Sequence, residues 1–164
     1  MIYISNGGNI NGKNGERENS PDFILEAIAE GYYVEIDVKL MNDGHLWLGY
    51  EDAQYKLENN DFLFNNRKKL LIHCKNVSAV HKLKDLEDEY KTKFHFFFHR
   101  TDNASLTSNG KVIVYPGKRP LSKHSIAMLP EETDYQVNDM KICYGICSDN
   151  IEFYKKLIEN ESRV

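Results

Sequence analysis

The stretch Tyr33-Val34-Glu35-Ile36-Asp37-Val38-Lys39-Leu40, "YVEIDVKL", decides how this chain is read. Side chains alternate between faces along a strand, so residues two apart share a face. Val34, Ile36 and Val38 therefore form one apolar face, and Glu35 and Asp37 stand together on the other. In a parallel sheet the apolar face packs against helices and the acids point inward. An unpaired buried carboxylate costs several kcal/mol. Two side by side are worse, because each raises the pKa of the other. Two compensations are visible. A divalent cation takes carboxylate oxygens well. Alternatively, Lys75 in "KLLIHCKN" pairs with the acids without any metal. His73 and Lys75 share a face by the same rule, so an adjoining inward face brings both beside Glu35 and Asp37.

Outward from this strand, the chain alternates strands and helices in its first half. "IYIS" reads as a strand running into "NGGNINGKNGEREN", whose Gly and Asn content marks a loop. "SPDFILEAIAEG" carries helix punctuation: Ser20 as N-cap, Pro21 at the first helical position, Asp22 in the first turn and Gly31 at the end. After "YVEIDVKL", Asp43-Gly44 between apolar runs predicts a hairpin into "HLWLGYE". "KLLIHCKN" is a strand, "SAVHKLKDLEDEY" a helix opened by Ser78, and the aromatic "FHFFFHR" a strand. "KVIVYPG", "SIAML" and "KICYGICSD" are further strand candidates, and "NIEFYKKLIE" is a closing helix. Strand–helix alternation predicts parallel strands joined by crossovers. The expected fold is α/β: an abbreviated (β/α)8 TIM-type barrel with shortened or missing helices in its second half. Such barrels usually run to about 250 residues. A doubly wound open sheet is the alternative, disfavoured because no G-x-G-x-x-G follows the first strand.

The 164 residues suffice for one domain, 1–164, with its own core. A hydrophobic share of 41% and a charged share of 28% place the chain among globular proteins. Its net charge of −4 argues against nucleic acid as the main partner, because phosphate backbones need a basic surface. No apolar run approaches the roughly 20 residues that span a bilayer. The N-terminus "MIYISNGG" lacks a basic start and a long apolar stretch, so a signal peptide is not expected. Cys74, Cys143 and Cys147 form no C-x-x-C pair and read as free thiols in a reducing cytoplasm.

Two further groups hold candidate chemistry. His95 and His99 share a face of "FHFFFHR", and His99 falls at the C-terminal end of the strand, where barrel enzymes keep their chemistry. Each reads either as a satisfied core or rim histidine or as a functional one. "YPGKRPLSK" gathers Lys118, Arg119 and Lys123 in one loop, either as a solvated surface or as a phosphate clamp.

The order strand, Gly-rich turn, "ENS" before a helix, then "GYYVEIDVKLMNDGHLWLGYED" resembles the glycerophosphodiester phosphodiesterase family. That family carries "HRG" after the first strand, "ENT" before the first helix, E-x-D on the second strand and "HD" after a DG turn. "GICSDN" near the C-terminus is similar to its last strand. The resemblance covers residues 4 to 52 specifically and the rest of the chain thinly. It implies a (β/α)8 barrel that hydrolyses phosphoric diesters. A divalent metal is bound by the E-x-D acids and a third-strand acid, and two histidines act as acid and base.

Glu18, Asn19 and Ser20 match the ENT position, Glu35 and Asp37 match E-x-D, and Asp43-Gly44 matches the turn. Lys75 matches the third-strand lysine, while His73 stands where the acid belongs. The implied ion is magnesium, calcium or manganese, and the histidine ligand also admits zinc. The catalytic triplet departs: Asn6 replaces the first histidine and Gly7 the arginine, while Tyr50 replaces the second histidine and Glu51 the aspartate. An amide cannot shuttle a proton, and a phenol has a reference pKa of about 10. Proton transfer would then fall to Tyr50, Glu51 or His99, with His45 on the same hairpin. Glu18, Lys75, Lys118 and Arg119 would contact a small phosphorylated ligand. Without turnover, the same barrel would bind a phosphorylated polyol or sugar.

Overall fold

The computed structural model describes residues 1–99 and 101–161. Arg100, the last residue of the expected "FHFFFHR" strand, lies outside the described residues. The elements run β1 (Ile2–Asn6), α1 (Pro21–Ala29), β2 (Tyr33–Leu40), β3 (Leu46–Leu48), β4 (Tyr55–Lys56), α2 (Asp61–Asn66) and β5 (Leu70–Cys74). They continue with α3 (Val77–Tyr90), β6 (Phe96–Phe98), β7 (Ala104–Leu106), β8 (Val112–Val114), β9 (Ser125–Met128), α4 (Val137–Lys141), β10 (Gly145–Ser148) and α5 (Ile151–Glu161).

All the strands belong to one sheet. Parallel pairing runs β6-β5-β2-β1-β10-β9-β8, and β7 lies antiparallel outside β8. The C-terminal end of β2 also carries the antiparallel β3 and β4. The two ends of the long parallel run approach each other. The amide of Ser108, just past β7, donates to the Phe96 carbonyl of β6 at 2.8 Å, and its hydroxyl accepts from the Phe96 amide at 3.0 Å.

The apolar side chains explain the curl. Ile4, Leu71, Phe97, Ile113, Ile126, Met128 and Cys147 form one buried cluster, drawn from β1, β5, β6, β8, β9 and β10. A flat sheet would spread these residues across its width. The sheet bends until both ends reach one interior. The helices send their buried apolar residues to the other face, where Ile24, Ala27, Leu83, Met140, Ile151 and Ile158 pack with Val34, Ile36 and Val38. Helices thus cover the convex face only, which rules out the doubly wound alternative among the described residues. The concave face is filled by the strands themselves.

Helix α1 forms as its punctuation predicts: the Ser20 hydroxyl accepts from the Phe23 amide and Pro21 opens the helix. Two expectations need correction. Helix α3 begins at Val77, because the Asn76 side chain caps the Ala79 amide at 3.0 Å, not Ser78. "KICYGICSD" is not one strand: Lys141 ends α4, which a Gln136–Asp139 capping box starts, and only Gly145–Ser148 is extended. Helix α2 and strand β7 carried no sequence expectation. All three cysteines are buried and unpaired, as the sequence implies.

Phe97 is 2% exposed, and its ring stacks on His73 at 4.6 Å between centroids. Truncation to alanine removes the largest member of the inner cluster. Urea unfolding of Phe97→Ala should show a loss of about 3–5 kcal/mol. A loss below about 1 kcal/mol would mean that the concave face is not a packed interior.

Candidate functional site

Strand β2 brings the two acids inward as its alternation requires, leaving Glu35 2% and Asp37 4% exposed. Strand β5 is in register beside it, with Asp37 opposite His73 and Glu35 opposite Leu71. That pairing puts His73 Nδ1 3.0 Å from Asp37 Oδ1 and 3.6 Å from Glu35 Oε1. Lys75 Nζ is 3.4 Å from the same Asp37 oxygen. The group opens into a cavity of about 340 Å³ at the C-terminal ends of the parallel strands. Asn6, Tyr50, Lys75 and His99 line it with the acids.

Asp37 is gripped from behind. Asn19 donates from Nδ2 to Asp37 Oδ2 at 3.1 Å, and its Oδ1 accepts the Asp37 amide at 2.9 Å. Asn19 holds a left-handed backbone, φ +64°, to reach this position. Asparagine tolerates that conformation better than most residues. The other oxygen, Oδ1, has no hydrogen-bond partner, nor does His73 Nε2. The 3.0 Å approach of the imidazole to Oδ1 is therefore electrostatic contact without hydrogen-bond geometry. Orphaned buried polar atoms are rare in folded proteins, and each calls for an explanation.

Burial pushes the Glu35 carboxyl well above the ordinary range, and the Asp37 charge pushes it further; Lys75 acts against both. Glu35 thus favours its protonated form in the metal-free interior. His99 is shifted the opposite way, its pKa lowered by burial and then by His73. Its ring stacks on Tyr115 at 3.6 Å and lies 6.1 Å from His73.

Glu35, Asp37 and His73 can each offer a ligand atom within 4.8 Å of the others. Donors sharing one calcium ion at 2.3–2.6 Å can stand up to about 5 Å apart. Two carboxylates and an imidazole suit a divalent ion, and Asp37 Oδ1, which makes no hydrogen bond, faces the His73 Nδ1 that also approaches Glu35. The residues present therefore fit the implied metal. Lys75 is the competing counter-charge, and its ammonium also lies 4.4 Å from the centre of the Tyr50 ring.

The remaining sequence candidates are scattered. Asn6 lines the cavity, but its amide donates to Asp149 Oδ1 at 2.8 Å. Asn9 donates to that same oxygen at 2.8 Å. Tyr50 is half exposed over the mouth. Glu18 and Glu51 line a neighbouring surface cleft with Tyr50 and do not reach the cavity. Glu18 touches Asn9 at 3.3 Å, and burial raises its pKa. Lys118 and Arg119 stand outside the cavity: the Lys118 carbonyl accepts from the Tyr135 hydroxyl, and Arg119 pairs with Asp139 at 3.0 Å. His45 sits on the hairpin beside Asp43. Sequence reasoning missed Tyr115, Met128 and Glu132 in the lining and Asp149 behind Asn6. For Asp149 a signal existed in the "SDN" at the end of the last strand.

Gly7, in the position of the resembled arginine, has φ +58°, and a Cβ there would come within 2.4 Å of Glu18 Cγ. A larger residue is excluded unless Glu18 moves. Searches against known protein families, curated proteins and solved structures return no match for this chain. The resemblance to phosphodiesterases therefore stands on the motif positions alone.

The raised Glu35 pKa has a stability consequence. Between the ordinary carboxyl value and the raised one, the folded state holds a proton that the unfolded state has released. Folding stability therefore falls as pH rises through that window, and the loss is complete above the folded value. Glu35→Gln abolishes this contribution. The metal-free variant should melt higher than wild type at pH 8, by at least a few °C, with the difference vanishing near pH 4. Parallel melting curves for the two proteins across pH would count against a protonated Glu35.

Proposed function

We propose that this chain is a phosphodiesterase-like barrel whose Glu35, Asp37 and His73 hold a divalent cation, and which uses that cation to bind a small phosphorylated ligand. The observation that carries the reading is the buried cluster itself: Glu35, Asp37 and His73 converge with ligand atoms within 4.8 Å of one another, and Asp37 Oδ1 makes no hydrogen bond. The barrel part is an abbreviated (β/α)8 arrangement. Its support is the strand order, which follows the chain outward from β1 on one side and inward to β10 on the other. Antiparallel β7 stands where a fifth parallel strand would be.

A bound divalent ion would act as a Lewis acid on a phosphoryl oxygen. The protein's own residues do the rest. Asn19 fixes Asp37, and Phe97 holds the His73 ring in place by stacking. Binding a cation ionises Glu35, so a proton leaves as the ion arrives. The charges of two carboxylates, Lys75 and a divalent ion then sum to +1, which attracts a phosphate. Lys75, at the mouth under Tyr50, is the side chain positioned to meet it.

Binding without turnover is favoured because the proton shuttles of the resembled family are missing. Asn6 has no ionisable group and is tied to Asp149. Calorimetric titration of chelator-stripped protein with magnesium, calcium, manganese and zinc tests the reading, beside Asp37→Asn. The expected result is binding by wild type, weakened at least about a hundredfold in the variant. Affinity should fall as pH is lowered and the raised Glu35 carboxyl takes back its proton. No binding of any of the four ions would leave the Lys75 pairing as the compensation and remove the proposal.

A second reading, slow diester hydrolysis, draws on His99. Its imidazole lines the same cavity, and its lowered pKa keeps a basic nitrogen available at neutral pH. A single general base contributes about 10²–10⁴-fold. If this reading holds, metal-loaded protein hydrolyses glycerophosphodiesters, and His99→Gln lowers kcat by about that factor. Equal rates in both proteins, or none, would leave binding as the function.

A further inference from the structure

The opposite end of the sheet holds a second cavity, of about 400 Å³. It opens among the N-terminal ends of the parallel strands, away from the acids. Its floor includes Ile4 and Leu71, members of the inner apolar cluster that separates it from the acid-lined cavity. Tyr33 and Tyr144 stand in its wall. Arg67, Lys68 and Lys93 also line it, and no Asp or Glu does among the described residues.

Two more cations flank the same tyrosines. Lys69 Nζ lies 4.5 Å from the centre of the Tyr33 ring, and Lys111 Nζ lies 4.0 Å from that of Tyr144. Acids outnumber bases in this chain by 25 to 21, so five cations around one mouth are a local reversal of charge. One acid approaches: Glu87 contacts Lys93 at 3.3 Å, but it is shared with Lys84 at 2.6 Å and with the Phe94 amide at 2.8 Å. Arg67 gives one N–H to the Phe64 carbonyl at 2.6 Å. His95, also in the lining, bonds Thr107 Oγ1 at 2.9 Å. Its pKa is pushed down to about 4 by burial and by Lys111, so the ring is neutral at physiological pH and the excess charge belongs to the lysines and arginine.

We propose that this mouth is a second binding site, for a small organic phosphate of mononucleotide size. Arg67, Lys68 and Lys93 receive the phosphate, and the Tyr33 and Tyr144 walls with the Ile4–Leu71 floor receive its apolar or aromatic portion. Guanidinium and ammonium groups converging in a lining that holds no carboxylate among the described residues, with Glu87 reaching only Lys93 from outside it, suit a dianion. A cavity of a few hundred Å³ has the size of a small-molecule site, and its largely polar lining suits a ligand that carries a phosphate. The proposal does not rest on metal at Glu35 and Asp37. A metal-free acid cluster would repel a phosphate, so the two ends can be told apart in solution.

The test uses the whole chain, stripped of metal on a chelating resin, with AMP and inorganic phosphate as probes at low salt. Wild type, Lys68→Glu/Lys93→Glu and Asp37→Asn are titrated, and amide shifts are mapped on the wild type. AMP should bind wild type and Asp37→Asn alike, and the double reversal roughly tenfold or more weakly. Added salt should weaken the wild-type affinity. Inorganic phosphate should bind less tightly than AMP, and the shifts should gather at Tyr33, His95 and Tyr144. The site is overturned by absence of AMP binding at millimolar concentration, by equal affinity in the double reversal, or by shifts centred on Tyr50 and Lys75. AMP binding no tighter than inorganic phosphate would overturn the organic portion. Because the shift map needs only wild type, misfolding of the reversal variant does not spare the proposal.

Discussion

Two carboxylates on the inner face of β2 set the terms for everything around them. Glu35 and Asp37 are held inward because Val34, Ile36 and Val38 must meet the helices on the other face. Turning the strand over would press both carboxylates into the apolar layer beneath the helices. The acids are thus fixed by apolar burial, which is worth about 1.5–3 kcal/mol for each such side chain. The surroundings then adapt to the acids. Asn19 accepts a left-handed backbone to grip Asp37, His73 and Lys75 arrive on the neighbouring strand, and Glu35 leans toward protonation.

The same bending of the sheet creates two unlike ends. Apolar side chains from six strands fill the middle of the concave face. What remains at each end is a shallow cavity lined by whatever the strand termini carry. At the C-terminal end these are acids with a histidine pair; at the N-terminal end they are lysines and an arginine. The apolar plug keeps the two fields apart, since charges separated by packed side chains cannot neutralise each other by contact. A chain that is acidic on balance therefore still presents one basic mouth.

Local periodicity carried most of what the sequence made legible. Alternation in "YVEIDVKL" and in "KLLIHCKN" located Glu35, Asp37, His73 and Lys75, because residue spacing alone fixes a strand face. Punctuation located α1. Periodicity failed where signals overlapped: the apolar run of "KICYGIC" hides the change from helix to strand, and the Asn76 cap competes with Ser78 two residues on. Long-range partners left no local trace. Asp149 meets Asn6 across 143 residues of chain, and Tyr115 reaches His99 only because β8 and β6 lie near each other in the curled sheet. In "YPGKRPLSK" composition left a surface loop and a phosphate clamp equally legible, and the long-range pairing that ties Arg119 to α4 through Asp139 had no local signal.

The loop after β1 is tied to the acids through its backbone, so its residues are fixed by packing as well as by their side chains. Gly7 takes its amide hydrogen bond to the Glu35 carbonyl and returns its own carbonyl to the Asn19 amide. This positive-φ residue therefore links β1 directly to both the acid and its clamp. Its missing side chain leaves the room that Glu18 occupies. Asn6, one residue earlier, uses its amide to hold Asp149 beside the last strand. An arginine at position 7 would have to displace Glu18, and a histidine at position 6 would have to replace the Asp149 contact. The loop that could have supplied proton transfer instead braces the metal-ligand candidates. The imidazole nearest this group that is free of such a bracing role is His99, whose ring stacks on Tyr115 in the lining of the same cavity.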